Sequence, residues 1–364
     1  MNIFREVIQK VSRGEKLAKD LTREEAAEAL RWIFEGQASE FQIGAFFAAM
    51  RMKGESAEET AGLVDACRER ALQLHPHLEN AVDMGDPYDG KVKTLHLTVP
   101  VALILAASDI PVILHGAKET PVKKGVETQG VLEALGVELT NERRGGVSPP
   151  EKGEATSPLQ QILEQEKIIF LPTEKMVPDF ARLRPFREAF GLRPFANHIE
   201  KIFNLANATT QMVGIYHRPY LEPMSGALRL LGTERIFVIQ GVEGFTELFI
   251  SRKTLVLHGE GKETESLWLD PGELGFRGEE ELASRTEAAS HAGRILEILK
   301  GSEGMGARSI LWNAGVKLFW LKKVNSIKEG VARARGILES GKALEKLESL
   351  KRAAGSPRLP SLFT

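Results

Sequence analysis

Hydrophobic residues recur at helical spacing through the first 73 residues. In "LTREEAAEALRWIFEG", Ile33 and Phe34 lie on the apolar face, and Thr22 stands three residues before Glu25. That spacing is a capping box, in which the hydroxyl and the carboxylate each accept an early backbone N–H. "SEFQIGAFFAAMRMKG" and "SAEETAGLVDACRER" follow as further helices, the second after a Ser N-cap. We therefore predict a helical domain over residues 1–73.

Beyond residue 74 short apolar runs alternate with helix-like segments. "AVDMG", "KVKTLHL", "IPVILHG", "EKIIFLP" and "ERIFVIQG" are typical of strands, and "GVETQGVLEALG" is typical of a helix. This alternation predicts the α/β class, with a mostly parallel central sheet flanked by helices. The large α/β domain is expected over residues 74–173 and 191–350, and the small helical domain gains a helical contribution from about 174–190. Residues 351–364 are expected to form a tail.

The second half of the chain contains a hairpin pattern followed by a helical pattern. Residues 254–274, "TLVLHGEGKETESLWLDPGEL", predict a hairpin near an edge of the sheet. Residues 284–350 return to a helical pattern.

Composition narrows the class of protein. The 364 residues are 42% hydrophobic and 27% charged, with a formal net charge of −2. No apolar run approaches the ~20 residues of a membrane span, and no secretory h-region is present. Cys67 is the only cysteine, which excludes an internal disulfide and agrees with a reducing compartment. We expect a cytoplasmic protein with no membrane partner. The net charge does not by itself favour nucleic-acid binding, although local basic patches could still bind nucleic acid.

The turn "GDPYDG", residues 85–90, lies where α/β proteins often bind phosphate, between a predicted strand and the helix-like "VPVALILAAS". Phosphate loops use glycine so that backbone N–H groups approach the anion closely. Here Pro87 has no N–H, and Asp86 adds a negative charge. We favour a plain turn over a working diphosphate loop, because Asp-Pro and Asp-Gly are ordinary turn residues.

Two loops carry clustered basic residues. "HGAKETPVKKG" contains Lys118, Lys123 and Lys124 just before a predicted helix. This arrangement is equally consistent with an anion-binding site and with a solvated basic loop. Arg143 and Arg144 lie in the Gly- and Pro-rich "NERRGGVSPPEKG". They suit a flap that closes over a phosphate, although such loops are more often simply exposed.

Arginines and phenylalanines are interleaved in "ARLRPFREAFGLR". Arginine beside aromatic rings suits stacked bases and phosphates, whereas each arginine alone would more often cover a helix surface. The chain contains no zinc-protease, CxxC or nucleophile-elbow motif. The candidate acceptor or nucleic-acid contacts are Arg184, Arg187, Arg193, His198 and Lys201.

Taken in order, "VDMGDPYDG", "VILHGAK", "FREAFGLRPFAN", "IQGVEGFTEL" and "LWNAGVKLFW" resemble the anthranilate phosphoribosyltransferase family over nearly the whole chain. The resemblance implies a helical domain joined to an α/β domain, with the ligand site between them. It also implies a homodimer formed through the helical domain. In the enzymes of this family, phosphoribosyl pyrophosphate is bound with Mg²⁺.

The residues that match the family's phosphate motifs are only partly kept. Its "GTGGD" turn corresponds to residues 85–89, so Gly85 and Asp89 remain. Its "KHGN" segment keeps His115 and Gly116, and the following Lys118 stands in for the missing lysine. Thr98 supplies the hydroxyl of the "NIST" segment.

The acceptor and metal motifs are also altered. Arg187 matches the arginine that contacts anthranilate. The adjacent Asp-Glu pair that binds Mg²⁺ becomes Thr246 and Glu247, and replacing a carboxylate by a hydroxyl weakens a site for a hard cation. Glu243 lies four residues before Glu247 and is a further candidate to share a cation. The alternative interpretation is that Glu243 is an ordinary loop carboxylate that binds no cation.

His198 with Lys201, "YHRPYLEPM" and "GVEG" resemble a divergent branch of the family, whose members look like homodimers that bind nucleic acid without biosynthetic activity. We therefore expect binding of nucleic acid or another phosphorylated ligand in a basic interdomain cleft, with no assigned catalytic residue. The alternative is an active phosphoribosyltransferase that uses phosphoribosyl pyrophosphate with a changed aromatic or nucleobase acceptor. Mg²⁺ is expected only in that second case.

Overall fold

The computed structural model describes residues 3–14, 17–72, 74, 78–85, 89–139, 158–261, 263–284 and 287–355. Four helices come first: α1 (Ile3–Val11), α2 (Arg23–Phe34), α3 (Glu40–Lys53) and α4 (Ala57–Arg68). The capping box of Thr22 and Glu25 is confirmed, and Ser39 and Ser56 make equivalent boxes at α3 and α4. Each box satisfies N–H groups that a helix start leaves without an intrahelical acceptor.

The second part of the chain is built on one sheet of seven strands. The strands are β1 (Val82–Gly85), β2 (Val112–Gly116), β3 (Ile168–Pro172), β4 (Thr210–Ile215), β5 (Arg235–Gln240), β6 (Thr254–Glu260) and β7 (Glu265–Leu269). Their order is β3-β2-β1-β4-β5-β6-β7, and the first five strands are parallel. Strands β6 and β7 run antiparallel at one edge, as the hairpin pattern predicted. The predicted fold class is confirmed.

Twelve further helices in the described residues connect or cover the strands. They are α5 (Thr98–Ala107), α6 (Thr128–Ala134), α7 (Pro158–Glu166), α8 (Thr173–Met176), α9 (Pro178–Ala181), α10 (Arg184–Phe190), α11 (Ala196–Ile199), α12 (Leu221–Leu230), α13 (Ala288–Leu299), α14 (Met305–Trp320), α15 (Ile327–Glu339) and α16 (Lys342–Ala354). A 3₁₀ turn, Glu200–Ile202, follows α11. No helix in these ranges is long and apolar enough to cross a bilayer.

The two faces of the sheet bury different hydrophobic cores. Along β5, Phe237 and Ile239 join the core that contains α5 and α13–α16, whereas Ile236 and Val238 join the core of the helical domain. This alternation is expected because successive side chains of a strand point to opposite faces. The helical domain therefore packs directly against one face of the sheet.

The segment after β3 also packs against the helical domain. The ring of Phe190 lies edge-on to that of Phe47, with the centroids 5.9 Å apart. Arg182 donates to the backbone oxygen of Phe34 at 2.6 Å. Helices α8–α10 are thus attached to helices that precede them by more than a hundred residues.

One predicted strand is wrong and one strand was missed. "KVKTLHL" forms only the isolated bridges Lys91↔Val126 and Thr94↔Leu282, because several of its N–H groups donate to a carboxylate side chain instead of a neighbouring strand. Strand β4 carries the buried polar residues Thr210 and Gln211, which mask its strand pattern. The predicted tail from residue 351 is helical to Ala354, and residues 356–364 lie outside the described part of the chain.

The order of the parallel strands creates a crevice. Strands β1, β2 and β3 extend the sheet in one direction, and β4 and β5 extend it in the other. The carboxyl ends of β1 and β4 thus flank the position where the order reverses, which is the usual ligand position in open α/β sheets. The loops that follow β1, β4 and β5 meet there.

Helices α14 and α15 cross at two glycines, and this contact yields a stability prediction. A methyl group on Gly330 would lie 2.2 Å from the backbone oxygen of Gly315. Gly330→Ala should therefore destabilise the protein by about 1–3 kcal/mol, because the backbones would have to separate. The control is Gly336→Ala on the same helix, where nothing lies within 4 Å and alanine should stabilise by up to about 1 kcal/mol. Chemical denaturation of both variants checks this, and equal effects would contradict it.

Candidate functional site

The crevice between β1 and β4 is filled by the 3₁₀ turn Glu200–Ile202. A Cβ on Gly85 would lie 2.3 Å from the backbone oxygen of Lys201 and 2.6 Å from Cε1 of His115, so only glycine fits there. The ammonium of Lys201 donates to the backbone oxygens of Gly214 at 2.5 Å and Gly244 at 3.0 Å. Lys201 therefore ties β4 to the loop after β5 and is itself buried.

His115 lies beneath the strand ends. Its side chain is buried, and Nε2 is 3.1 Å from Oδ1 of Asp83 on the neighbouring strand. Gln211 Nε2 is 3.4 Å from the same carboxylate oxygen. The structure thus brings together Gly85 and His115, predicted as phosphate contacts, and Lys201, predicted as an acceptor or nucleic-acid contact. The side chains of His115 and Lys201 face protein groups at this point.

The N-terminus of α5 accepts a carboxylate from within the chain. Glu247 Oε1 accepts the backbone N–H of Leu97 at 2.7 Å and that of Thr98 at 3.2 Å. Its other oxygen, Oε2, accepts a hydrogen bond from the ammonium of Lys91. The amide groups and dipole of a helix start attract an anion, and here Glu247 supplies it.

Glu243 satisfies the preceding amides in the same way. Its carboxylate accepts N–H hydrogen bonds from Val92 at 3.0 Å, Lys93 at 3.3 Å and Thr94 at 2.9 Å. Burial alone would raise the pKa of Glu243, but these hydrogen bonds outweigh burial and hold the pKa below its ordinary value. We call the N–H groups of residues 92–94, 97 and 98 the anion cradle. Two carboxylates of the chain occupy it.

Lys91 completes this arrangement as a fully buried cation. Its ammonium donates to Thr94 Oγ1 and to the backbone oxygen of Leu95, both at 2.9 Å, and to Glu247. The backbone oxygen of Thr246 accepts from the ammonium of Lys317 at 2.9 Å.

The residues present here do not fit a divalent ion held by Glu247. Both of its carboxylate oxygens already accept hydrogen bonds, and the second carboxylate of the motif is replaced by Thr246. Nowhere in the described ranges are three His, Cys, Asp or Glu side chains grouped to hold a metal.

The basic loop after β2 exposes its lysines, and contacts with neighbouring helices hold it in place. Lys118 pairs with Glu133 at 2.7 Å, and this contact raises the pKa of Lys118. Lys124 lies 4.0 Å from Glu188, and Lys123 is exposed. Arg184 donates to the backbone oxygens of Lys118 at 2.9 Å and Glu119 at 3.2 Å, so this predicted ligand contact holds the loop against α10. The predicted contacts Arg143 and Arg144 lie outside the described residues.

Arg187 is enclosed between the domains. Its guanidinium pairs with Glu200 at 3.2 Å and lies 5.4 Å from the ring centroid of Phe180. The side chain is 1% exposed. Contact with an acceptor would require this pair to open, and the predicted role of Arg187 stays a prediction.

A basic and aromatic cleft lies between the helical domain and the sheet. Arg51 at the end of α3 donates to the hydroxyl of Tyr220 at 3.0 Å, and His198 Nδ1 lies 3.0 Å from Glu55. Arg193 pairs with Asp89 at 2.7 Å. The residues that line the cleft are Arg51, Arg193, His198, Lys201, Ile215, Tyr216, His217 and Tyr220.

Sequence reasoning missed Arg51 and Lys91. Arg51 reaches the cleft because α3 packs beside residues 169 positions away, which no local pattern reports. Lys91 stands in a polar stretch that predicts exposure, whereas the structure buries it completely. The proximity of Arg51 to Tyr220 and of Lys91 to Glu247 depends on the tertiary structure.

The carboxyl of Glu127 makes the basic loop sensitive to pH. Its Oε1 accepts the N–H of Thr120 at 3.0 Å, and burial raises its pKa from 4.5 to about 7. A carboxyl with a raised pKa binds its proton more tightly in the folded state. Folding stability is therefore greatest below pH 4.5 for this group and is lost as pH rises through about 7.

Glu127→Gln should remove this loss, since the amide stays neutral. The difference in unfolding free energy between wild type and variant should change by on the order of 3 kcal/mol as pH rises from acid to neutral. Denaturation at a series of pH values measures it. Glu279→Gln, at an exposed carboxyl, serves as the control. Parallel pH profiles for wild type and Glu127→Gln would rule the account out.

Similarity to known proteins extends over nearly the whole chain. Residues 5–71 match the helical bundle domain of the glycosyl transferase family, and residues 89–344 match its a/b domain. An anthranilate phosphoribosyltransferase of Anaeromyxobacter sp. strain K is 30% identical over 358 residues, covering 98% of this chain and 100% of that protein.

Solved structures show the same fold. The crystal structure of anthranilate phosphoribosyltransferase from Thermus thermophilus matches with a TM-score of 0.80 and 28% identity, over 98% of this chain and 100% of that one. The Saccharomyces cerevisiae enzyme in complex with PRPP and Mg matches with a TM-score of 0.78 and 18% identity, over 96% and 97% of the two chains. The chain therefore belongs to the glycosyltransferase family of the anthranilate phosphoribosyltransferases.

Proposed function

We propose that this protein binds nucleic acid, or another ligand that presents the same phosphate and base chemistry, in the cleft between its two domains. The observation that carries the proposal is the convergence of Arg51, Arg193, His198 and His217 with two tyrosines at the carboxyl end of β4. Basic groups contact the phosphate backbone, and aromatic rings stack with bases. The cleft offers both kinds of group within one surface.

Tyr216 is the most suitable stacking surface in the cleft. Its side chain is 55% exposed, and its ring lies edge-on to that of His217, with the centroids 4.8 Å apart. Arg218 follows and is exposed. A ring held by a neighbouring aromatic loses little conformational freedom when a base stacks on it, so an unpaired base is the favoured occupant.

The charge balance around the cleft favours a phosphate ligand. Arg51 donates to the hydroxyl of Tyr220, its charge also acts on the carboxylate of Glu55, and the exposed Arg218 adds a further cation. Asp89 and Glu55 are the carboxylates paired with Arg193 and His198. A positive surface between low-dielectric walls raises the local concentration of a polyanion.

The alternative is a phosphoribosyltransferase that acts on a changed acceptor, and the anion cradle supports it less. A diphosphate that approached residues 92–98 would have to displace the carboxylates of Glu243 and Glu247 from their N–H donors. Opposing carboxylates would also repel the ligand's negative charge. The catalytic activity named for the relatives therefore does not extend to this chain in our proposal.

Calorimetric titration with single-stranded DNA, beside phosphoribosyl pyrophosphate plus Mg²⁺, tests the proposal at two salt concentrations. DNA should bind, and its affinity should fall with salt at a slope of about −0.7 per contacted phosphate in a log–log plot. The sugar diphosphate should give no comparable binding. Salt-independent DNA affinity would contradict the electrostatic basis, and turnover of the diphosphate with an aromatic acceptor would support the alternative.

Tyr216→Ala should weaken binding of single-stranded DNA by about 1–3 kcal/mol, because one stacked base loses its partner. Tyr216→Phe is the matched control and should keep the affinity, since the ring remains. Fluorescence anisotropy at constant salt measures both variants. An equal loss in the two would show that the hydroxyl, and not the ring, makes the contact.

We also propose that the chain forms a homodimer through its helical domain. The outward face of α3 carries Phe41, Ala45, Ala48 and Met52 at helical spacing, with Phe41 92% and Met52 84% exposed. A contiguous apolar stripe of this kind is the usual mark of a protein interface. The symmetric partner is a second copy of the same helix.

Phe41→Glu should convert the dimer to a monomer, because two carboxylates would be buried where apolar side chains meet. Light scattering after size-exclusion chromatography gives the molar mass. Trp268→Glu, at a 52% exposed aromatic on edge strand β7, is the control and should leave the mass unchanged. A wild-type protein that is monomeric at micromolar concentration would contradict the proposed homodimer.

A further inference from the structure

The ammonium of Lys91 has the surroundings of a hard metal ion. A hydroxyl oxygen of Thr94, a backbone oxygen of Leu95 and a carboxylate oxygen of Glu247 face it, and the side chain is fully buried. Hydroxyl, carbonyl and carboxylate oxygens are the ligands that Mg²⁺ and Mn²⁺ take in proteins. The aromatic ring of Phe245 closes one side, with its centroid 5.4 Å from the ammonium.

This position is the one that the family resemblance assigns to Mg²⁺. The motif residue Glu247 faces Lys91 instead, and Thr246 replaces the other carboxylate. The cation at the site is thus a side chain of the chain itself. The anion cradle beside it is likewise filled by Glu243 and Glu247.

We propose that Lys91 is a built-in replacement for a divalent cation, so that the protein binds no metal ion at Glu247. A tethered ammonium neutralises the buried carboxylate without the cost of capturing an ion from solution. It also blocks the position, since an ammonium and a divalent ion repel each other and would require the same oxygens. The inference goes beyond the proposed function and does not depend on which ligand enters the cleft.

Removing the ammonium should reopen the position. Lys91→Ala leaves Glu247 buried and without its cation, next to Thr94 Oγ1 and the Leu95 oxygen. A buried carboxylate that loses the ammonium paired with it is strongly disfavoured, so a divalent ion gains a driving force to enter with water completing its coordination.

The test measures Mn²⁺ binding by electron paramagnetic resonance of the free ion. The wild type should show no binding that depends on Glu247, whereas Lys91→Ala should gain one Mn²⁺ site per chain. Lys91→Ala/Glu247→Gln should lose that site again. Lys93→Ala is the matched control, because Lys93 is an exposed lysine two residues away whose removal should behave as wild type.

Two results of the Mn²⁺ binding measurement would overturn the proposal. One is a wild-type Mn²⁺ site whose affinity falls in Glu247→Gln, and the other is a folded Lys91→Ala protein that gains no site. Circular dichroism establishes that the variants are folded. Crystals of the wild-type protein soaked in Mn²⁺ and measured at the manganese edge decide the question even where a variant fails to fold. Anomalous density at Glu247 counts against the proposal, and its absence there supports it.

Discussion

The buried ion pair of Lys91 and Glu247 is the interaction on which the site depends. Both side chains are at most 1% exposed, so neither charge is solvated by bulk water. A buried pair is tolerable only when further hydrogen bonds satisfy both partners. Two backbone N–H groups at the start of α5 supply them for Glu247, and the oxygens of Thr94 and Leu95 supply them for Lys91. The segment from 91 to 98 is therefore held by these charged contacts together with two isolated β-bridges, and not by a continuous strand ladder.

The sheet topology explains why these groups meet. The loops after β1 and β5 reach the same edge because both strands are parallel and end there. Glu243 and Glu247 lie on one loop, and their N–H donors lie on the other, about 150 residues earlier. Lys201 ties strand β4 to the loop after β5 through the oxygens of Gly214 and Gly244. The strand ends are thus occupied by the protein's own charged groups, and the solvent-facing surface beside them is the basic and aromatic cleft.

The charged side chains at the strand ends show that this chain keeps the family's fold while the groups at its site differ. A fold can be kept while the groups at its site change, so membership in a family does not establish an activity. In this chain the packing glycines and the helix caps are of the ordinary kind, whereas the positions to which the family resemblance assigns phosphate and metal hold carboxylates and an ammonium. The unusual residues are concentrated at the strand ends.

Local sequence patterns were enough to predict the fold class, the helix caps at Thr22 and Ser56, four of the parallel strands and the edge hairpin. Each of these features depends on periodicity or on residues a few positions apart. The sequence also indicated an altered turn at residues 85–90. Only the tertiary structure showed that Glu243 and Glu247 accept the amides of residues 92–98, that Lys91 is buried between them, and that Arg51 joins the cleft. These contacts join residues up to 169 positions apart, and the energy of a buried charge depends on its partners in space, which a local pattern does not contain.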